Sequence, residues 1–337
     1  MISIAVTEAS QVAEARRQCV AVGRGVGFSE PDSGKMAIVA TELASNLLKH
    51  GRGGEILAGA FEDSTGKGVE VVAMDKGPGI AHLGDSLRDG HSTAGTPGTG
   101  LGAVVRQSHA HELFSGPGLG TLVLARLQPG RVAPEENGAK PPWGAVCLAK
   151  PGEEASGDGW AAATLPGVGQ VLMVADGLGH GPAAAEASAQ AVRIFTKQAS
   201  EPPGAIIQMI HDGLRSTRGA AVAVARADLV RNTVIFAGLG NITGALVAGT
   251  MVRRMVSQNG TAGHSTHRIK EFDYPFPVRE PALVILHSDG IGSGWALDRY
   301  PGLAAAHPTL IAAVLYRDFN RGRDDATVLV AKVGHHQ

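Results

Sequence analysis

The chain has 337 residues, 30 Lys and Arg against 31 Asp and Glu, and 44% hydrophobic residues. That balance excludes a disordered segment and argues against a general nucleic-acid binder. Two cysteines far apart in sequence exclude a disulfide scaffold, and no apolar run reaches the ~18 residues of a membrane helix. The first residues, MISIAVTEAS, lack the basic start and long apolar core of a signal peptide. The expectation is therefore a soluble cytoplasmic protein of about two domains, with no nucleic-acid or membrane partner. Glycine is the outlier: 47 residues, about twice the usual ~7%. Seventeen of them fall within residues 51–120, which points to particular loops rather than to a loose chain.

In chain order, residues 2–7 alternate like a strand and 8–22 carry apolar residues at helical spacing. Pro31-Asp32-Ser33 signals a helix start, and that helix stops near Gly51. Residues 55–62 and 69–75 read as strands, 76–100 as a Gly/Ser/Thr-rich loop, and 101–110 as a short helix. Residues 112–127 read as a hairpin with a Gly-rich turn. Residues 128–142 show no apolar period and are rich in Pro and Gly, so they are expected to be an interdomain linker. The pattern then restarts with strands over 144–149 and 170–176 and helices over 182–198 and 204–217. Five further strand-like runs follow: AAVAVARAD, TVIFAGLG, ALVAG, ALVILHSDG and DATVLVAKV. Strands outnumber helices and several are consecutive, so an α+β class is predicted.

Three elements of the first half suggest a nucleotide site. Glu42, Asn46 and Lys49 fall within about 60° of one another on the predicted helix, beside an apolar stripe of Met36, Val39, Ala40, Leu43 and Leu47. A carboxylate and an amide one turn apart can hold a hydroxyl and a Mg2+. A solvated helix face gives the same spacing. Asp75, Gly77 and Gly79 end a strand, where an acceptor and close backbone approach suit a ligand, although Asp-x-Gly is also a common turn. Gly98, Thr99, Gly100, Leu101 and Gly102 lead into a helix, an arrangement that cradles phosphate. It matches neither the Walker nor the dinucleotide-binding fingerprint.

Taken in order, Glu-x-x-x-Asn-x-x-Lys-His, Asp-x-Gly-x-Gly and Gly-x-Gly-x-Gly resemble the GHKL (Bergerat) ATPase/kinase fold over residues 1–127. ELASNLLKHGRGGEI and DGHSTAGTPGTGLGAV look like the small serine kinases of bacterial partner switching, the RsbT/RsbW type. The resemblance implies an N-terminal α/β sandwich that uses ATP and Mg2+. It implies Glu42 as general base, Asn46 as Mg2+ ligand, Asp75 as adenine contact, and Gly77, Gly79, Gly98, Gly100 and Gly102 as nucleotide-loop residues. Lys49 and His50 match the motif with less defined roles.

The second half carries four acidic segments: Gly157-Asp158, Asp176-Gly177-Leu178-Gly179-His180-Gly181, Ser288-Asp289-Gly290 and Asp324-Asp325. Asp176 and Asp289 end apolar runs and Asp324 precedes one. Carboxylates gathered at one strand rim would repel without cations among them, and oxygen donors suit Mg2+ or Mn2+. Four unrelated turns would read the same. The combined series resembles the PPM (PP2C-like) serine/threonine phosphatases of the SpoIIE/RsbX group over residues 143–333, as do TRGAAVAVARAD and GLGNITGAL. It implies a PP2C-like α/β/β/α sandwich. The metal ligands carried over are Asp158, Asp176, the Gly177 carbonyl, Asp289 and Asp324, holding two Mn2+ or Mg2+ for phosphoester hydrolysis without a phosphoenzyme. Asp325 falls where many relatives carry Asn. Arg218 is a candidate phosphate clamp, with a plain surface charge as the alternative. Cys19 and Cys147 lie in apolar elements and are expected to be inert.

Together the resemblances imply a bifunctional kinase and phosphatase. Its expected substrate is a STAS-domain antagonist or stressosome scaffold protein in a sigma-factor switch, with a downstream regulator as a second partner and room for a homodimer. The alternative is a phosphatase gated by a non-catalytic N-terminal module that senses nucleotide or binds an anti-sigma partner.

Overall fold

The computed structural model describes residues 1–63, 66–80, 100–130, 142–264, 268–278 and 280–334. The chain divides into two units, Met1–Pro141 with Ala305–Ala313, and Pro142–Ala304 with Val314–Gln337. Residues 131–141, most of the expected linker, lie outside the described residues, as do 81–99.

The first unit opens with strand β1 (Ile2–Val6) and helix α1 (Ala9–Gly25). Helix α2 (Glu30–Lys49) starts at Ser29, whose hydroxyl accepts from the Asp32 N–H while Asp32 bonds back to Ser29. Pro31 sits in the first turn, where its missing N–H costs nothing. Strands β2 (Gly54–Asp63) and β3 (Gly66–Met74), helix α3 (Gly100–Gln107), and strands β4 (Ala110–Ser115) and β5 (Thr121–Leu127) follow in chain order. The strands form one antiparallel sheet in the order β1-β2-β3-β5-β4. Met36, Val39, Ala40, Leu43 and Leu47 on α2 pack with Ile56, Ala58, Val71 and Ala73 in one core, as the apolar stripe predicts. Burying that stripe leaves Glu42 and Asn46 at its margin, half-buried.

The second unit stacks two antiparallel five-stranded sheets. One contains β7 (Asp158–Leu165), β8 (Gly169–Gly177), β9 (Ala220–Asp228), β10 (Thr233–Leu239) and β13 (Phe272–Pro275). The other contains β6 (Trp143–Leu148), β11 (Thr243–Ala248), β12 (Met251–Met255), β14 (Ala282–His287) and β15 (Ala326–Val333). Leu172, Val174, Ala223 and Phe236 of the first sheet meet Leu246, Val284, Leu286 and Leu329 of the second. Helices α4 (Pro182–Gln198) and α5 (Pro203–Gly213) cover the outer face of the first sheet through Phe195, Ile206, Ile207 and Ile210. The mixed α+β class follows from these elements.

Among the described residues, one α-helix and three strands escape the sequence pattern. Helix α6 (Pro308–Phe319) buries every residue from Leu310 to Leu315, so no polar face marks its period. Strand β7 has partly exposed alanines instead of an alternating stripe, while β12 and β13 are short edge strands rich in polar residues. The helix expected to reach residue 217 ends at Gly213.

Candidate active sites

In the first unit, Glu42 and Asn46 both face the start of α3. A Cβ at Gly100 would lie 3.1 Å from Glu42 Oε2 and 3.4 Å from Asn46 Oδ1. A side chain at Gly100 would crowd this acid–amide pair and displace the ends of Glu42 and Asn46. Leu101 and Gly102 continue the first turn of α3, half-buried, whereas Gly98 and Thr99 lie outside the described residues.

Asp75 is buried just past β3. Its Oδ1 accepts from the Gly77 N–H at 2.7 Å and the Thr121 N–H at 3.1 Å. Gly77 lies against the His50 carbonyl, since a Cβ there would be 3.1 Å from it, so the Asp75–Gly77 turn abuts the C-terminal end of α2. Gly79 has no room for a side chain beside the Gly116 carbonyl. The side chains of Lys49 and His50 are exposed. The fold thus gathers Glu42, Asn46 and Gly100, with Asp75 and Gly77 by the end of the same helix. A nucleoside triphosphate with Mg2+ suits that donor set: an open carboxylate, an amide, and helix N–H groups that favour anions.

In the second unit, the antiparallel register sets Asp158 at the start of β7 opposite Asp176 at the end of β8. In the facing sheet, Asp289 follows β14 and Asp324–Asp325 precede β15. Two hydrogen bonds join the rims of the two sheets: Ser288 Oγ donates to Asp158 Oδ2 at 2.6 Å, and the Gly157 N–H donates to Asp325 Oδ2 at 2.9 Å. Asp325 Oδ1 also accepts from the Lys150 N–H at 2.8 Å. Asp325 is therefore a buried clasp on the loop that delivers Asp158, a role the motif alone does not show. Asp324 is exposed, and its Oδ1 accepts from the Asp325 N–H at 2.9 Å.

This crowding shows in the proton affinities. Burial pushes the Asp158 carboxyl up to about 7 against opposing hydrogen bonds from Ser288 and Thr327, with the charges of Asp325 and Asp289 adding to the rise. Burial pushes Asp176 up to about 8, with Asp158, Asp289, Asp324 and Asp325 adding repulsion. Asp158 is only 5% exposed, and its Oδ1 has no hydrogen-bond partner among the described residues. A buried, unpaired carboxylate oxygen in an all-oxygen cluster fits a hard divalent cation. No three His, Cys, Asp or Glu side chains among the described residues converge on one point.

Further residues support the rim. Arg218 flanks the loop after Asp176: a Cβ at Gly179 would lie 3.0 Å from its Nη1, and the Leu178 N–H donates to the Gly219 carbonyl at 3.0 Å. His180 in that loop pairs with Glu153 at 2.6 Å. Behind Ser288, buried His287 accepts from Trp295 Nε1 at 3.1 Å through Nε2 and donates to the Ser288 carbonyl through Nδ1 at 2.8 Å. The indole can only donate, so the ring is neutral, and burial pulls its pKa down to about 4. Cys19 is buried with its thiol pushed up to about 12, which keeps it unreactive, and burial also raises the Cys147 thiol. Sequence reasoning did not single out Ser288, Asn241, His287 or Lys150 as site residues. Ser288 and Asn241 do stand inside the quoted Ser-Asp-Gly and GLGNITGAL segments.

Two family matches follow one another along the chain. Residues 166–334, half of the chain, match the family "Stage II sporulation protein E (SpoIIE)". Residues 5–126 match "Histidine kinase-like ATPase domain". Over 104 residues the chain is 34% identical to serine/threonine-protein kinase RsbT of Bacillus subtilis (strain 168), covering 31% of this chain and 78% of that protein. A solved structure described as "The bacterial stressosome: a modular system that has been adapted to control secondary messenger signaling" aligns with a TM-score of 0.52 and 29% identity. It covers 56% of this chain and 97% of its own. A structure of RsbX in complex with magnesium aligns at 20% identity and a TM-score of 0.48, covering 59% of this chain and 97% of its own. The chain belongs to the SpoIIE family of PPM-type phosphatase domains, fused behind a histidine kinase-like ATPase domain of the RsbT kinase family.

Proposed function

We propose that this chain is a bifunctional partner-switching enzyme that phosphorylates and dephosphorylates Ser or Thr of a STAS-domain antagonist or stressosome scaffold protein. Residues 1–127 form the kinase domain, 128–142 the linker and 143–333 the phosphatase domain. The observation that carries the reading is the pairing of two sites. Glu42 and Asn46 close on Gly100 in one unit, and an acidic rim with an orphaned Asp158 oxygen lies in the other. The RsbT relative and the stressosome structure support the choice of pathway.

In the kinase site, Glu42 takes the proton of the acceptor hydroxyl and Asn46 holds Mg2+. Asp75 receives the adenine amine on the turn set by Gly77 and Gly79. Gly98, Thr99, Gly100, Leu101 and Gly102 bind the phosphates, and Lys49 and His50 contribute to nucleotide binding from the same motif. In the phosphatase site, Asp158, Asp176, the Gly177 carbonyl, Asp289 and Asp324 hold two Mn2+ or Mg2+. When bound, these ions supply Lewis acidity that activates water and screens the phosphoryl charge. Asp325 holds the Asp158 loop in place, and Arg218 contacts the substrate phosphate. Opposed activities in one chain would cycle ATP without net result, so partner binding or nucleotide state biases one of them.

The test mixes the protein, ATP with Mg2+ or Mn2+ and a STAS-domain partner, and follows partner phosphate by mass spectrometry. Glu42→Ala is expected to abolish phosphorylation and spare dephosphorylation, and Asp176→Asn to do the reverse. Loss of both activities in either variant defeats the two-site reading. ATP binding without any transfer by the wild type favours a gating N-terminal module instead.

A further inference from the structure

Asn241 lies outside the carboxylate set but touches it. Its Nδ2 donates to Asp289 Oδ2 at 2.7 Å. The backbone on either side fixes that amide. Gly240 has φ +96°, and a Cβ there would come within 2.6 Å of Ala221 Cβ, so the turn before Asn241 is open to glycine alone. The Gly240 N–H donates to the Gln258 carbonyl at 2.8 Å, and the Gln258 N–H returns to the Gly238 carbonyl at 2.8 Å. On the other side, Ile242 is buried in the core between the sheets. The Asn241 side chain itself is exposed, so packing does not call for an amide there.

The rim shows the same device three times. Asp158 Oδ2 is held by Ser288 Oγ, Asp324 Oδ1 by the Asp325 N–H, and Asp289 Oδ2 by Asn241. In each case a donor fixes one oxygen of a rim carboxylate. We infer that Asn241 is a positioning residue for the divalent-cation site, fixing the orientation of Asp289. This inference rests on the reading of the rim as a phosphatase cation site. Partners of this kind orient metal ligands, and their removal typically costs 10–100-fold in affinity.

The test uses the full-length protein stripped of metal, with Mn2+ as the probe. By isothermal titration calorimetry, Asn241→Ala is expected to raise the Mn2+ dissociation constant roughly 10–100-fold. The Mn2+ concentration for half-maximal hydrolysis of p-nitrophenyl phosphate is expected to shift alike, with kcat at saturating Mn2+ changed by less than about twofold. Asn241→Leu keeps the approximate size and removes the donor without adding a charge, so it is expected to weaken binding to a similar extent. It decides the matter if the alanine variant does not fold. Unchanged Mn2+ affinity in a folded variant overturns the inference. A loss of kcat at saturating Mn2+ with unchanged affinity also overturns it, because it assigns Asn241 to the substrate. A wild type that takes up no Mn2+ and leaves the ester intact overturns the phosphatase reading, and this inference with it.

Discussion

Asp158 and Asp176 show how position changes a common side chain. Ordinary aspartate titrates near 4, but these two are pushed up to about 7 and about 8. Between about pH 4 and pH 8 the folded metal-free protein therefore holds more protons than the unfolded chain. The sign follows: its stability falls as pH rises through that window. In EDTA, the melting temperature is expected to be lower at pH 8.5 than at pH 5.5, and Mn2+ is expected to raise it more at the higher pH. A metal-free melting temperature that climbs with pH contradicts this account of the rim. Gly100 gives a second test at this scale. Gly100→Ala puts a methyl 3.1 Å from Glu42 Oε2. ATP affinity by calorimetry is expected to drop at least about tenfold, equivalent to 1.4 kcal/mol, with the fold intact by circular dichroism. Unchanged ATP affinity places the nucleotide elsewhere.

At the scale of elements, α2 carries the kinase pair and its start is set locally. Ser29 and Asp32 bond reciprocally, and Asp32 Oδ2 also accepts from the Gly130 N–H at 3.1 Å, tying the chain beyond β5 to the helix start. Ser29→Ala is expected to cost about 1 kcal/mol, read by chemical denaturation. Asp32→Ala is expected to cost more, because it removes the side chain's bonds back to Ser29, the Gly130 bond and the Lys35 ion pair together. Equal costs would show that the Gly130 tie contributes nothing. This helix was legible in the sequence because cap, apolar stripe and stop all lie within about twenty consecutive residues. The strands β8, β9 and β15 were legible for a similar reason, as apolar runs bounded by turn residues. Helix α6 was not legible, since a segment buried on every side has no contrast to read. The edge strands β12 and β13 draw their order from neighbours distant in sequence, Gly244–Ala248 and Thr233–Phe236.

At the scale of the whole molecule, the two sites rest on different sheets and separate cores. Substitutions in one are expected to leave the other's chemistry near wild type. The double variant Glu42→Ala/Asp176→Asn is expected to show the sum of the single losses in the phosphate assay and no additional loss of stability. The sequence by itself determined the class, the order of the two family segments and the residue types at each site. Those follow from local spacing, periodicity and motif order, all written along the chain. Only the tertiary structure decided which groups meet. It set Asp158 beside Ser288, Asp289 beside Asn241, and Asp325 across the backbone of Lys150 and Gly157. Those contacts span from 48 to 175 residues of sequence. They depend on how two sheets align in register, a property of packing that no local pattern encodes.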